Sequence, residues 1–172
     1  PGAHHTRFEH SLGVSHVSSM MAESLGLDRY ETDTVSVSAL LHDVGHGPYS
    51  HTLEHILHER GGLDHMSITE GIIVGDYDIL RDGEDSSIQN RISVPEILEN
   101  HGIDPKEVAG LIRGPDAKGS ERNLLSWSEG KTNFVQNDKT MAHLIHGPVD
   151  CDQIDYLLRD SHFTGVKHGV ID

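Results

Sequence analysis

With 172 residues the chain is long enough to bury the core of one domain. Its 28 Asp and Glu against 13 Lys and Arg give a formal net charge of −15, a surface that repels nucleic acid and anionic membranes. The single cysteine excludes an intrachain disulfide and points to a reducing, cytoplasmic setting, and no apolar run is long enough to cross a membrane.

Thr6-x-x-Glu9 fits a reciprocal capping box, and Phe8, Leu12, Met20 and Leu25 recur at roughly helical intervals. A first helix is therefore expected from about Thr6 to Leu25, stopped by Gly26. The next stretch is mixed: Val35, Val37, Ala39 and Leu41 alternate as in a strand, but length and the lack of any partner strand favour a helix from about Thr32 to Val44. Gly45-His46-Gly47-Pro48 breaks it, and Pro48 suits the first turn of a third helix that runs to about Glu59 and ends at Gly61-Gly62. A fourth helix covers about His65 to Val74, followed by an acidic, polar loop over 75–93. Short helices are expected over Val94–Asn100 and Pro105–Arg113, then a second polar loop with little regular structure over 114–139. A last long helix spans about Met141 to Asp160, open to interruption at Gly147-Pro148, and stops before Gly165. No strand series emerges, so the expected fold class is all-α: a helical bundle with long polar loops.

The densest chemistry lies in His42-Asp43-Val44-Gly45-His46-Gly47-Pro48-Tyr49-Ser50-His51. His42 and Asp43 close a helix beside a tight turn, which lets both face one cleft. A mixed imidazole and carboxylate set suits a first-row divalent metal. Arg7 and His10 are three apart and share a helix face, so a guanidinium fork could hold phosphate beside a metal on His10. His46 and His51 flank the Gly-Pro turn, and Glu54 stands one turn after His51, where it can orient that imidazole or raise its pKa. His65 reads equally as helix-start decoration or as support for a catalytic group. Asp152 either supplies the metal carboxylate that the amino-terminal half lacks or belongs to a solvated acidic face. Asp155 and Arg159 read as a helical ion pair, which contributes roughly 0.3–0.5 kcal/mol. His4 and His5 precede the cap and read as surface residues.

Arg-Phe-Glu-His, the long His-Asp block and Asp-Gln-Ile-Asp-Tyr-Leu-Leu-Arg-Asp together resemble the HD-domain phosphohydrolase superfamily, and within it the deoxynucleoside triphosphate triphosphohydrolases. The middle block, His-Asp-x-Gly-His-Gly-Pro-aromatic-Ser-His, is the specific part. The resemblance implies an HD-domain bundle with a metal site between helices. By position, His10, His42, Asp43 and Asp152 match the four metal ligands. His46, His51, Glu54 and His65 match a catalytic set near the α-phosphate, Arg7 a phosphate contact, and Tyr156 and Asp160 the sugar contacts. Gln153 stands where the vertebrate relative carries lysine, which removes a phosphate-binding charge.

The implied cofactor is one divalent ion, with Fe, Mn, Zn, Ni and Mg all open, and additional Mg for the substrate phosphates. The implied substrate is a deoxynucleoside triphosphate, cleaved to deoxynucleoside and triphosphate, and the implied assembly is a homo-oligomer. Another phosphoester hydrolase of the same fold, or a non-catalytic deoxynucleotide sensor, remains the alternative. Because residue 1 is Pro, directly before a motif, and the chain stops soon after another, residues 1–172 read as a single HD domain excised from a longer protein.

Overall fold

The computed structural model describes residues 4–47, 64–77, 92–114 and 132–166, with side chains in the last segment from residue 139. Seven helices and no strand occur among the described residues. They are α1 (Arg7–Ser24), α2 (Arg29–Leu41), α3 (His65–Val74), α4 (Val94–Asn100), α5 (Pro105–Arg113), α6 (Thr132–His146) and α7 (Cys151–Thr164). The expected third helix, with His51 and Glu54, and most of the acidic loop lie outside the described residues.

The helix ends follow from side chains that satisfy orphan backbone groups. At the start of α1 the Thr6 hydroxyl accepts from the Glu9 N–H at 3.2 Å, and Glu9 Oε2 accepts from the Thr6 N–H at 2.7 Å, which is the expected capping box. The helix closes with two bonds, from Gly26 N–H to the Glu23 carbonyl and from Leu27 N–H to the Ala22 carbonyl, around Gly26 at φ 74°. That closure turns Leu27 back onto the cluster containing Ala22. The second helix begins three residues earlier than expected, because Asp28 and Glu31 form a second capping box. It also ends earlier than expected, at Leu41 with His42 as its cap. Bonds from Val44 N–H to the Leu41 carbonyl and from His46 N–H to the Asp43 carbonyl tighten the chain into turns. The expectations for α3, α4 and α5 agree with the structure, each helix being capped by an Asp or Ser side chain. One correction concerns the carboxyl-terminal third: regular structure resumes at Thr132 rather than near Met141. The interruption expected at Gly147-Pro148 is present and divides the last helix into two, with Asp150 capping α7 through the Gln153 N–H.

Among the described residues, three buried clusters hold the bundle. Ala22, Val35, Leu111, Met141 and Ile145 join α1, α2, α5 and α6. Ile73, Leu98, Val108 and Ile112 join α3, α4 and α5. Val14, Ala39 and Cys151 join α1, α2 and α7 directly beneath the site described next. The α1–α2 interface is lined by small residues, Ser18, Ala22, Ser38 and Ala39, all fully buried. The buried hydroxyls of Ser18 and Ser38 donate to the carbonyls of Ser15 and Thr34, so neither donor is left unsatisfied in the interface. Close α1–α2 packing brings the first turns of α1 to the last turn of α2, and α7 lies against α1.

Candidate metal centre

Side chains from four separate stretches converge at one end of the bundle. The first turns of α1 supply Arg7 and His10. The end of α2 and its following turn supply His42, Asp43 and His46. The start of α3 supplies His65, and the first turns of α7 supply Asp152, Asp155 and Tyr156. One donor atom each from His10, His42 and Asp43 lie within 4.8 Å of one another. A cation held at first-shell distances of roughly 2.0–2.3 Å fits such a group.

The donor of His42 is fixed by its other nitrogen. Nδ1–H donates to the Ala39 carbonyl at 2.7 Å, so Nε2 carries the lone pair. That Nε2 is buried and has no hydrogen-bond partner among the described residues, and the Asp43 carboxylate stands beside it with Oδ1 at 3.3 Å. A buried acceptor left without a donor is costly in any fold, and a cation would satisfy it. Asp43 is the hub of the cluster. Its Oδ1 also lies 3.4 Å from His46 Nε2, and its Oδ2 accepts from Arg7 Nη1 at 3.2 Å. His10 is held at both ring nitrogens, by Asp152 Oδ1 2.9 Å from Nε2 and by Asp155 Oδ2 2.7 Å from Nδ1. Asp152 therefore reaches the three-residue group through His10.

The approach of His46 to the site depends on Gly45. Its N–H donates to Thr69 Oγ1 at 3.0 Å, and a Cβ at residue 45 would stand 2.4 Å from the His65 carbonyl oxygen. That close approach stacks the His46 and His65 rings with centroids 4.0 Å apart and planes 14° from parallel. A cavity of about 690 Å³ opens over the cluster. Its lining includes His10, His42, Asp43, His46, His65 and Asp152, together with Tyr156, Arg113 and His146. Arg7, Gln153 and Asp160 lie outside its wall: Arg7 meets the cluster through Asp43, Gln153 gives its N–H to the α7 cap, and Asp160 Oδ1 lies 3.1 Å from His5 Nε2. The structure thus brings together His10, His42, Asp43, Asp152, His46, His65 and Tyr156, while His51 and Glu54 fall outside the described residues.

Two residues that read as bland in the sequence are drawn into this region. His5 is half-buried against Asp160 and Phe163 rather than free on the surface. Asp155 is buried and bonds both His10 and Arg159, so it is more than the exposed ion pair expected from its spacing. A signal for it was present: Gly13 interrupts a helical pattern three residues after His10, and such a glycine usually answers a packing demand.

Charge coupling sets the protonation of the cluster. The Asp152 hydrogen bond raises the His10 pKa, burial opposes it, and Asp155 adds to the rise. The His10 hydrogen bond holds the Asp152 carboxyl below its usual range despite partial burial. Burial pushes the Asp155 carboxyl up, but bonds from Arg159 and His10 outweigh it and leave it low. Burial, with Asp150 and Asp152 beside it, pushes the Cys151 thiol up to about 12, so it stays neutral.

These shifts give a stability window for metal-free protein. The His10 contribution is complete below its ordinary value of 6.5 and is lost as pH rises through the raised folded value. The Asp152 contribution is complete above its ordinary 3.8 and is lost as pH falls through the lowered folded value. Thermal melts of metal-free protein are expected to peak between those limits, and His10→Gln should flatten the alkaline limb. An alkaline limb unchanged in that variant would contradict the coupling.

The HD domain family model matches residues 7–114, more than half of the chain. The chain belongs to the HD domain family. It is thus a member of the HD-domain phosphohydrolase superfamily, as the motifs led us to expect, and the His10–His42–Asp43 donor group suits the divalent metals that HD domains bind. A hypothetical protein from Aquifex aeolicus, solved by crystallography, superposes with a TM-score of 0.63 at 30% identity, over 98% of this chain and 36% of that one. The uncharacterized protein YwfO of Bacillus subtilis is 34% identical across 99% of this HD-domain chain and 32% of its own length. Human deoxynucleoside triphosphate triphosphohydrolase SAMHD1 is 27% identical across 98% of this chain and 27% of its own length. The chain spans about a third or less of the length of these curated relatives. No described helix is long and apolar enough to cross a membrane.

Proposed function

We propose that this HD domain is the metal-dependent hydrolytic core of an enzyme that cleaves deoxynucleoside triphosphates to deoxynucleoside and intact triphosphate. The observation that carries the hydrolytic reading is the buried, unpartnered Nε2 of His42 beside Asp43 and His10. The substrate is inferred from the likeness to the triphosphohydrolase SAMHD1. In this reading His10, His42, Asp43 and Asp152 hold one divalent ion, and further Mg accompanies the phosphates. Bound there, the ion supplies Lewis acidity at the α-phosphate.

The other roles belong to the chain's own side chains. Arg7, now paired with Asp43, turns its guanidinium to the phosphates and offsets the acidic surface that would repel them. The stacked His46 and His65 stand beside Asp43 and keep the attacked phosphorus within reach of proton donors. His51, oriented by Glu54, moves the proton to the leaving oxygen, a role worth about 10²–10⁴-fold. Tyr156 lies in the cavity wall where the sugar packs, and Asp160 accepts from its 3′-hydroxyl after release from His5. In the same reading, residues 1–172 form one HD-domain unit of a longer cytoplasmic protein that self-associates.

The test is incubation of the protein with each dNTP and Mg²⁺, Mn²⁺ or Fe²⁺, followed by chromatography of the products. Triphosphate and deoxynucleoside in equal amounts support the proposal. Release of inorganic phosphate from a phosphoester, with dNTPs untouched, would move the chain to another phosphohydrolase activity. Gln153, neutral where the resemblance implies a lysine, favours instead a non-catalytic deoxynucleotide sensor, which would bind a dNTP with metal present and release no product over hours.

A further inference from the structure

Asp155 is a carboxylate with 6% of its surface exposed, on the α7 face turned toward α1. A buried carboxylate is costly unless it is paired and fully hydrogen-bonded. Asp155 is. Arg159 grips it in a fork, Nε to Oδ2 at 2.9 Å and Nη2 to Oδ1 at 2.8 Å, and Oδ2 also faces His10 Nδ1 at 2.7 Å. The room for this arrangement comes from α1. A Cβ on Gly13 would stand 1.9 Å from Asp155 Oδ1 and 2.3 Å from Arg159 Nη2. Any side chain at residue 13 must push the carboxylate away from His10.

We propose that Asp155 is the positioning residue for His10: clamped by Arg159 in the space Gly13 leaves open, it takes the Nδ1–H and aims Nε2 at the donor cluster. This rests on the reading that His10 is a metal ligand. A carboxylate behind a ligating imidazole fixes its tautomer and ring orientation and raises its basicity, and loss of such a partner costs 10–100-fold in metal affinity. Arg159 prevents Asp155 from rotating to solvent, and the fork gives it one geometry rather than several. The helical ion pair expected from the sequence is therefore one half of a three-residue relay, Arg159 to Asp155 to His10.

Cobalt(II) titration of metal-free protein, followed by calorimetry and visible absorption, separates this role from simple helix fastening. Wild type, His10→Ala, Asp155→Asn and the remote cap variant Asp28→Ala are compared, with a thermal melt of each. Asp155→Asn is expected to weaken cobalt binding by about 10–100-fold and to alter the visible band. Asp28→Ala is expected to lower the melting temperature and leave affinity and band unchanged. Wild-type affinity and band in Asp155→Asn, or a loss no greater than in Asp28→Ala, would overturn the proposal while the metal site stood. Wild-type cobalt binding in His10→Ala would instead bring down the metal reading, and the positioning role with it. Should Asp155→Asn fail to fold, Arg159→Gln and Gly13→Ala reach the same contact from either side. Weakened cobalt binding in both supports the relay, and wild-type binding in both overturns it.

Discussion

Asp43→Ala is expected to strip the metal and abolish hydrolysis while leaving the fold intact. The Asp43 carboxylate contacts His42, His46 and Arg7 at once, at 3.3, 3.4 and 3.2 Å. Its removal takes a donor from the three-residue group and breaks the contact with the Arg7 guanidinium. Its side chain is 25% exposed and Arg7 is 56% exposed, so the lost ion pair costs at most about 1 kcal/mol of stability. Turnover should fall at least about 10³-fold, which corresponds to roughly 4 kcal/mol of lost transition-state stabilisation. Elemental analysis, a thermal melt and product chromatography on the same preparation check all three parts. A variant that keeps its metal and its rate would refute the assignment of the centre; one that unfolds would show Asp43 to be structural.

Gly45→Ala should do the reverse and damage the site through the fold. The added methyl meets the His65 carbonyl oxygen and the Thr69 backbone nitrogen at 2.4 and 2.5 Å, and neither is the end of a flexible chain. The turn after α2 must lift from α3, which separates the stacked His46 and His65 rings. Overpacking of this kind costs about 1–3 kcal/mol, and each kcal/mol lowers the melting temperature of a domain this size by roughly 2–4 °C. Gly47, two residues on, has nothing within 4 Å of a Cβ among the described residues and is the matched control: Gly47→Ala should stay within about 0.5 kcal/mol of wild type. Urea denaturation of the two variants side by side gives the answer. Equal stabilities would mean that the close approach at Gly45 is not required.

The helices were legible where a local signal announced them. Thr6 and Glu9 mark the start of α1 because a capping box is a contact between residues three apart. The same device at Asp28 and Glu31 starts α2 at Arg29, three residues before the Thr32 that the apolar pattern suggests. The strand-like alternation of Val35, Val37, Ala39 and Leu41 has a tertiary cause. Val35 and Ala39, one turn apart, face the clusters shared with α1, α6 and α7, while Val37 and Leu41, also one turn apart, pack against the α3–α5 cluster. A helix wedged between two apolar layers is apolar on two faces, and its sequence loses the single-stripe pattern. The α6 helix begins inside a polar stretch, where Phe134 and Val135 are the only apolar residues between Thr132 and Lys139 and give periodicity too little to find it.

The identity of the donors was written in the chain, because imidazoles and carboxylates beside a helix break have few other uses in such density. The resemblance points to His10, His42, Asp43 and Asp152, and the structure gathers donor atoms of the first three within 4.8 Å of one another. What no spacing could give is which nitrogen of each ring faces the cavity. The Ala39 carbonyl decides that for His42 and Asp155 for His10, and the second contact joins residues 145 positions apart. Local pattern encodes which groups a helix carries and where it stops. The orientation of those groups is settled by partners from other helices, since a hydrogen bond across a packed interface leaves no period in the sequence.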